Sequence, residues 1–592
     1  MATYKAPLRD MRFVLHELHG VDRVRELPGC EELSTGDVEL ILDSAATLSE
    51  NVLQPLNRSG DEEGCTLDDG VVRTPHGFRH AYRAYAEGGW ASLACDPEFG
   101  GQGLPHAVRA LVEETICSAN LPFASYTMLI QGAYGLLHAH ASDRLKQLYL
   151  PQLVAGNWTA TMCLTEAHCG TDLGLVRTRA VPEIDGSYRI AGTKTFISAG
   201  EHDLTENIVH LVLARLPDAP SGVKGISLFV VPKVLLDSEG RLATRNRVSC
   251  VSIENKMGQK ACTTCELNFD DAVGWLVGEP HRGLHAMFSM MNTARLGAGI
   301  QGLGIAEAAY QGAVHYARER LQGRSLSGAI YPDQPADPII VHPDVRRMLL
   351  TMRAYVEGMR ALGQWVAQAF DRRERHPDPG IRAAADEFVA LMTPVVKALF
   401  SDLGSECANL GVQVYGGHGY ICDNGMEQYV RDVRVAQIYD GTNGIQALDL
   451  VRRKLGAGQL VHRFYEPVQA FLQAHGAAAN LAEFVRPLAD AFARLQEVTA
   501  WITLATRSDP EEAAAVATEY LRLFGLVALA FMWSKMAAVA LPLVNGPDAE
   551  FYRAKLGTAR FFLQRLLPQG EALAKVVMAG GGSLRAFDVA SF

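Results

Sequence analysis

The decapeptide "QIYDGTNGIQ", residues 437–446, sets a carboxylate, Asp440, between an aromatic ring and a glycine. Two roles compete for it: a turn-forming residue, or a group that takes a proton from a bound molecule. Two other segments are rich in small residues and hydroxyls where strands read as giving way to loops. They are "CLTEAHCGTDLG" at 163–174 and "GTKTFISAG" at 192–200. A flavin needs donors along the ring edge that gathers negative charge on reduction, and a donor near N5. Thr165 and Ser198 offer such donors and Phe196 an aromatic wall; the competing reading is a pair of surface hairpin loops.

Three other patterns point away from their usual chemistry. A literal G-x-G-x-x-G stands at Gly297, Gly299 and Gly302, but the residues before it have helical spacing, and a dinucleotide fingerprint needs a strand there. Close packing between helices is the better expectation. Cys262 and Cys265 form a Cys-x-x-Cys with no second ligand pair at zinc spacing, so they read as strand-packing residues and no metal is expected. The net charge of -11 argues against non-specific nucleic-acid binding.

These residues need a scaffold, and 592 residues suggest roughly three or four domains. After an irregular leader, 1–35, the stretch 36–157 carries helical apolar spacing, with Ser142 expected to cap one helix. Residues 158–279 switch to short β-branched and aromatic runs bounded by turns, a central β domain. Long helical patterns return over 280–457, with "LGAGQL" at 455–460 as a joint, and continue through a C-terminal extension, 458–592. From residue 460 on, 12 basic and 12 acidic side chains balance. "LFGLVALAFMW" at 523–533 is too short to span a bilayer and is expected to be a buried helix. No signal-type apolar segment follows the first Met, and dispersed cysteines fit a reducing compartment, so a cytoplasmic location is expected.

Six segments occur together in order: the two above, then "NKMGQKACTTCELNFDDA", "ARERLQGRSL", "QVYGGHGY" and "QIYDGTNGIQ". Together they resemble the acyl-CoA dehydrogenase family, from about residue 80 to 455, and the leader and extension resemble its long bacterial branch of about 600 residues. The resemblance implies a mainly α fold with a central β domain: a helical domain, a β-barrel domain and a four-helix bundle around FAD, plus the C-terminal helical domain. It implies that Leu164, Thr165, Phe196 and Ser198 hold the isoalloxazine. Arg320 and the "GG-x-G" segment (Gly416, Gly417, Gly419) would reach the FAD of a neighbouring subunit, and Thr442 the cofactor diphosphate. Arg295 matches an arginine near the substrate cavity, against a surface helix-stabilising role. The extension implies a homodimer.

The implied reaction is α,β-dehydrogenation of an acyl-CoA to trans-2-enoyl-CoA. A carboxylate removes the α-proton, the β-hydride goes to flavin N5, and electrons pass to an electron-transferring flavoprotein. The family's usual base is Glu; here that position is Asp440, and the alternative family position is Ala294. Three readings stay open for Asp440: the working base on a shorter arm, a poor base for an unusual acyl-CoA, or no base in a binding flavoprotein. An acyl-CoA oxidase and a DNA-binding flavoprotein are the competing functions, and the charge-balanced extension lacks the basic footprint of the latter.

Overall fold

A computed structural model describes residues 4–20, 25–457 and 460–592. The joint expected at 455–460 includes Gly458 and Gln459, which lie outside the described residues. The chain groups into two compact units. One comprises Met1–Asp43, His106–Glu114 and Ala298–Phe592, and the other Ser44–Pro105 and Thr115–Gly297.

The second unit holds the β domain. Its strands are β1 (Trp158–Cys163), β2 (Arg179–Pro182), β3 (Tyr188–Ser198), β4 (Asn207–Arg215), β5 (Ile226–Pro232), β6 (Val248–Ile253) and β7 (Thr264–Val277). Pairing runs β6-β7-β3-β2-β4-β1, and β5 pairs with both β7 and β4. The circuit β7-β3-β2-β4-β5 therefore closes on itself, the barrel that removes open sheet edges. β4 and β5 are buried almost throughout, which explains their unbroken apolar runs "NIVHLVLAR" and "ISLFVVP". Cys262 and Cys265 are buried, Cys265 within the barrel core. Ser142 accepts the Leu145 N–H at 3.5 Å and caps Asp143–Val154, as its position before the helical run predicts.

The first unit is helical. Its long helices are α1 (Gly283–Glu319, of which the residues from Ala298 belong here), α2 (Pro343–Arg375) and α3 (Pro379–Tyr415). A short α4 (Asn443–Leu448) follows, and the extension contributes α5 (Ala482–Ser508), α6 (Ala517–Ala540) and α7 (Ala549–Phe561). The glycine triplet lies inside α1, where it packs helices rather than binding a nucleotide. A Cβ on Gly302 would come within 2.4 Å of the Phe400 carbonyl, and one on Gly404 within 2.5 Å of the Gly302 carbonyl, so α1 and α3 cross backbone to backbone. α6 contains the apolar run of 523–533. The segment Ala517–Leu543 is long and apolar enough to cross a membrane, but 83% of its apolar window is buried inside the fold. Trp533 on α6 donates its indole N–H to the Ala354 carbonyl at 3.1 Å.

The stretch read as an irregular leader, 1–35, contains helix instead. Leu8–Arg12 is α-helical and Phe13–Leu18 continues as a wider π-type turn, with Met11, Phe13, Val14 and Leu15 fully buried. Apolar residues at 11, 14, 15 and 18 have the spacing of one helix face.

Candidate active site

In the β domain the two hydroxyl-rich segments are neighbours. Thr195 N donates to the Thr165 carbonyl at 2.9 Å. Beside this link the Lys194 ammonium, with no exposed surface, donates to the Leu164 carbonyl at 3.0 Å and to Glu166 Oε1 at 2.9 Å. Glu166 accepts further bonds from the Arg177 N–H and from both the N–H and the hydroxyl of Thr178. Burial works to raise the Glu166 carboxyl, but the Lys194 ammonium and these donors outweigh it and hold it at about 2. Burial is also the largest influence on Lys194 and pulls it below the usual ammonium value. With two anionic or carbonyl oxygens in contact, the pair is best described as ionised. Sequence reasoning passed over both residues. The acid of "LTEAH" and the base of "GTKTF" were visible, but only tertiary pairing shows that they lock the segments together.

β3 carries a bulge in this region. Cys265 pairs with Ile197 and Leu267 with Lys194, so Thr195 and Phe196 together oppose Glu266. A bulge re-aims a side chain, and Phe196 is 63% exposed although its neighbours Thr195 and Ile197 are buried. Phe196 (φ +58°) and Ala199 (φ +52°) both take left-handed backbone, bracketing Ile197 and Ser198. Non-glycine residues held there cost on the order of 1–3 kcal/mol each, a strain that gathers at functional sites. The Thr195 hydroxyl is buried and has no hydrogen-bond partner among the described residues. An outward aromatic ring, half-buried Thr165 and Ser198, and an orphaned buried hydroxyl suit a planar, hydrogen-bonding ring system such as a flavin. Leu164 is half-buried beside them. Arg295, in the same unit, is only 7% exposed, so the surface role weighed for it does not hold.

In the helical unit, α3 ends at Gly416, whose φ of +60° calls for glycine. A Cβ on Gly416 or Gly417 would meet nothing within 4 Å, so both backbones face open space. Gly419 differs: a Cβ there would lie 2.4 Å from the Val412 carbonyl, so this glycine serves the chain's own packing. Tyr316 on α1 stacks on Tyr415 at 4.2 Å, and its hydroxyl lies 2.9 Å from His418 Nδ1, which pins the turn. Arg320 is exposed just past the end of α1. The loop after it folds around buried Asp337. That carboxylate accepts N–H bonds from Ser325, Ile330 and Tyr331 and pairs with Arg324 at 3.3 Å. Burial would raise it, yet these N–H groups and Arg324 bring it down to about 2.

Asp440 is half-buried in a turn with left-handed backbone (φ +54°), followed by Gly441 at φ +84°. Asp tolerates this region far better than most residues do. Both roles weighed for it therefore remain compatible: it forms a turn, and it carries a carboxylate. Thr442 caps α4, its Oγ1 accepting the Ile445 N–H at 3.4 Å, which leaves its O–H to donate elsewhere. Next to it, Asn443 is held by Lys397 at 2.9 Å and donates to Asp402 at 2.7 Å, and Gln437 donates to the same Asp402 oxygen at 2.6 Å. Tyr439 donates its hydroxyl to Gln301 on α1. These supporting residues carry no local sequence signal, because their partners lie on α1 and α3.

Comparison with known proteins identifies the family and the fold. Four models of one family match in order: the acyl-CoA dehydrogenase N-terminal domain over 35–157, its middle domain over 161–272, its C-terminal domain over 281–455, and the acetyl-CoA dehydrogenase C-terminal-like domain over 464–588. The 3-methylmercaptopropionyl-CoA dehydrogenase of Ruegeria pomeroyi is 42% identical over 588 residues, covering 98% of this chain and 99% of that protein. Two solved structures share the fold at 20% identity. Caenorhabditis elegans ACDH-11 in complex with C11-CoA has a TM-score of 0.77, covering 97% of this chain and 95% of its own. The Bacillus anthracis acyl-CoA dehydrogenase complexed with FAD has a TM-score of 0.73, covering 94% and 90%. The chain belongs to the acyl-CoA dehydrogenase family, FAD-dependent oxidoreductases that act on a CH–CH bond.

Proposed function

We propose that this enzyme converts an acyl-CoA to trans-2-enoyl-CoA with Asp440 as the base that removes the α-proton, and that an electron-transferring flavoprotein takes the electrons. The observation that carries the reading is the half-buried carboxylate of Asp440 in a left-handed turn braced from both sides, at the family's base position. A thioester acidifies the α-carbon, and closing the site over the substrate raises the carboxylate's affinity for a proton. FAD, when bound, supplies the two-electron acceptor for the β-hydride. Leu164, Thr165, Phe196 and Ser198 would hold its ring. Arg320, Gly416, Gly417 and Thr442 would hold the rest, with Arg320 and the glycines acting on the cofactor of a second copy in a homodimer. Arg295 would line the acyl-CoA cavity as a buried cation.

The substrate panel should include 3-methylmercaptopropionyl-CoA, the substrate in the name of the 42% identical relative, beside straight and branched acyl-CoAs of short, medium and long chain. The expected result is anaerobic bleaching of the flavin, enoyl-CoA as product, and reoxidation that is fast with electron-transferring flavoprotein and slow in air. Rapid peroxide formation in air would instead make the protein an oxidase, and no bleaching by any thioester would leave it a binding flavoprotein.

A further inference from the structure

We infer that Gln446 is a positioning residue for the proton-removal step, acting as a clamp on the backbone that aims Asp440. The inference rests on the reading of Asp440 as the base. The Gln446 side chain has no exposed surface. Its Nε2 donates to the Asp440 carbonyl at 3.2 Å and to the Gly441 carbonyl at 3.1 Å, so a single amide group holds both peptides of the left-handed pair. Its backbone N–H also donates to the Thr442 carbonyl at 3.0 Å, which fixes the residue in the first turn of α4. Upstream, the Tyr439–Gln301 bond holds the other side of the same turn.

A clamp of this kind matters more for Asp than for Glu. The aspartate arm is shorter by one methylene, about 1.5 Å, and with two side-chain torsions it has little freedom to correct a displaced backbone. The reach of its carboxylate therefore depends on where the backbone places Cα and Cβ, with χ1 choosing among a few staggered positions. The backbone there is left-handed (φ +54°), a region Asp tolerates better than most residues but does not favour over the right-handed and extended regions, so bonds from neighbours help to keep it there. Without the two bonds from Gln446 the turn relaxes and the carboxylate moves away from the α-proton. A misplacement of roughly 1 Å costs on the order of 100-fold in rate.

The test uses the full-length, FAD-loaded enzyme with 3-methylmercaptopropionyl-CoA, or with the best substrate of the panel, and with its α-deuterated form. Gln446→Met keeps the volume without a donor. Gln446→Leu also removes the donor in a smaller apolar side chain, and it carries the test if the first variant does not fold. In each, the limiting rate of flavin reduction should fall about 10- to 100-fold. The half-saturating substrate concentration should stay within about threefold while the α-deuterium isotope effect rises, a split that a general loss of structure does not produce. In an Asp440→Glu background the longer arm should make Gln446→Met cost less than it does in the native enzyme. A folded Gln446 variant at native rate overturns the inference, as does an equal loss in both backgrounds. Asp440→Asn separates the two failures. If it keeps the native rate, the base assignment falls; if it is inactive while Gln446 variants are not, only the clamp falls.

Discussion

Asp440 and the family's usual Glu differ by a methylene, and the backbone at this position bears on which of the two it accepts. At φ +54° an Asp is less strained than most residues, whereas Glu has no short-range polar group to offset the left-handed strain of about 1–2 kcal/mol. Asp440→Glu is therefore expected to lower the unfolding free energy by about 1 kcal/mol in a denaturant titration, whatever it does to activity. A variant as stable as the native enzyme would mean that the turn relaxes freely, and would weaken the case for a tightly held base. Asp440→Asn tolerates the same backbone, which makes it the cleaner probe of the carboxylate. The sequence showed the acid and its neighbours, because a motif is a local pattern. It did not show the left-handed turn, the two bonds from Gln446 or the Tyr439–Gln301 bond, which depend on where α1 and α4 sit.

Elements carry the second layer of the site. The segments at 163–174 and 192–200 are joined by the Thr195–Thr165 backbone bond and by the buried Lys194–Glu166 pair, so they should rise or fall together. Removing one member of such a pair leaves the other charge buried and typically costs about 3–5 kcal/mol. Lys194→Met is expected to lose stability in that range and to weaken FAD retention, measured by melting temperature and by flavin content after gel filtration. Full flavin occupancy at native melting temperature would show that the pair does not support the segment. The loop after Arg320 depends on Asp337 in the same way. Asp337→Ala should leave Arg320 intact but unfix the loop, seen as faster amide exchange at Ser325, Ile330 and Tyr331, whose N–H groups lose their acceptor. Strand and helix types were legible from periodicity, as in β4, β5 and α6. The helix of Leu8–Leu18 was equally visible in its spacing, but its length and position at the chain's start made it read as leader. The β3 bulge was not legible, because a bulge is defined by its partner strand.

At the scale of the whole molecule, the helical unit is tied together by charge inside its core. Arg360 on α2, 1% exposed, contacts Asp10 near the N-terminus and Glu307 on α1, and lies 2.9 Å from Glu114. Lys555 on α7 of the extension contacts the same Asp10 and lies 2.8 Å from Glu357, which also pairs with Arg353 at 2.7 Å. Three cations thus face four carboxylates, and burial favours one carboxyl keeping its proton. Burial pushes Glu114 up to about 7 in spite of Arg360. A carboxyl raised in the fold contributes its full stability below its ordinary value of 4.5 and loses it as pH rises through about 7. Glu114→Gln, which mimics the protonated form, should therefore gain stability relative to the native enzyme as pH rises from 5 to 8. A difference that stays flat over that range would mean that Glu114 is ionised throughout. None of this network was legible in sequence, since its members span residues 10 to 555 and each looks like an ordinary helical charge.

The most direct test of the account is anaerobic stopped-flow reduction of the flavin by a saturating acyl-CoA in Asp440→Asn beside the native enzyme. A positioned base contributes about 10²–10⁴-fold, so flavin reduction should slow by that factor while FAD content and acyl-CoA binding stay native. Reduction within a few-fold of the native rate would contradict the assignment of Asp440 as the group that takes the α-proton.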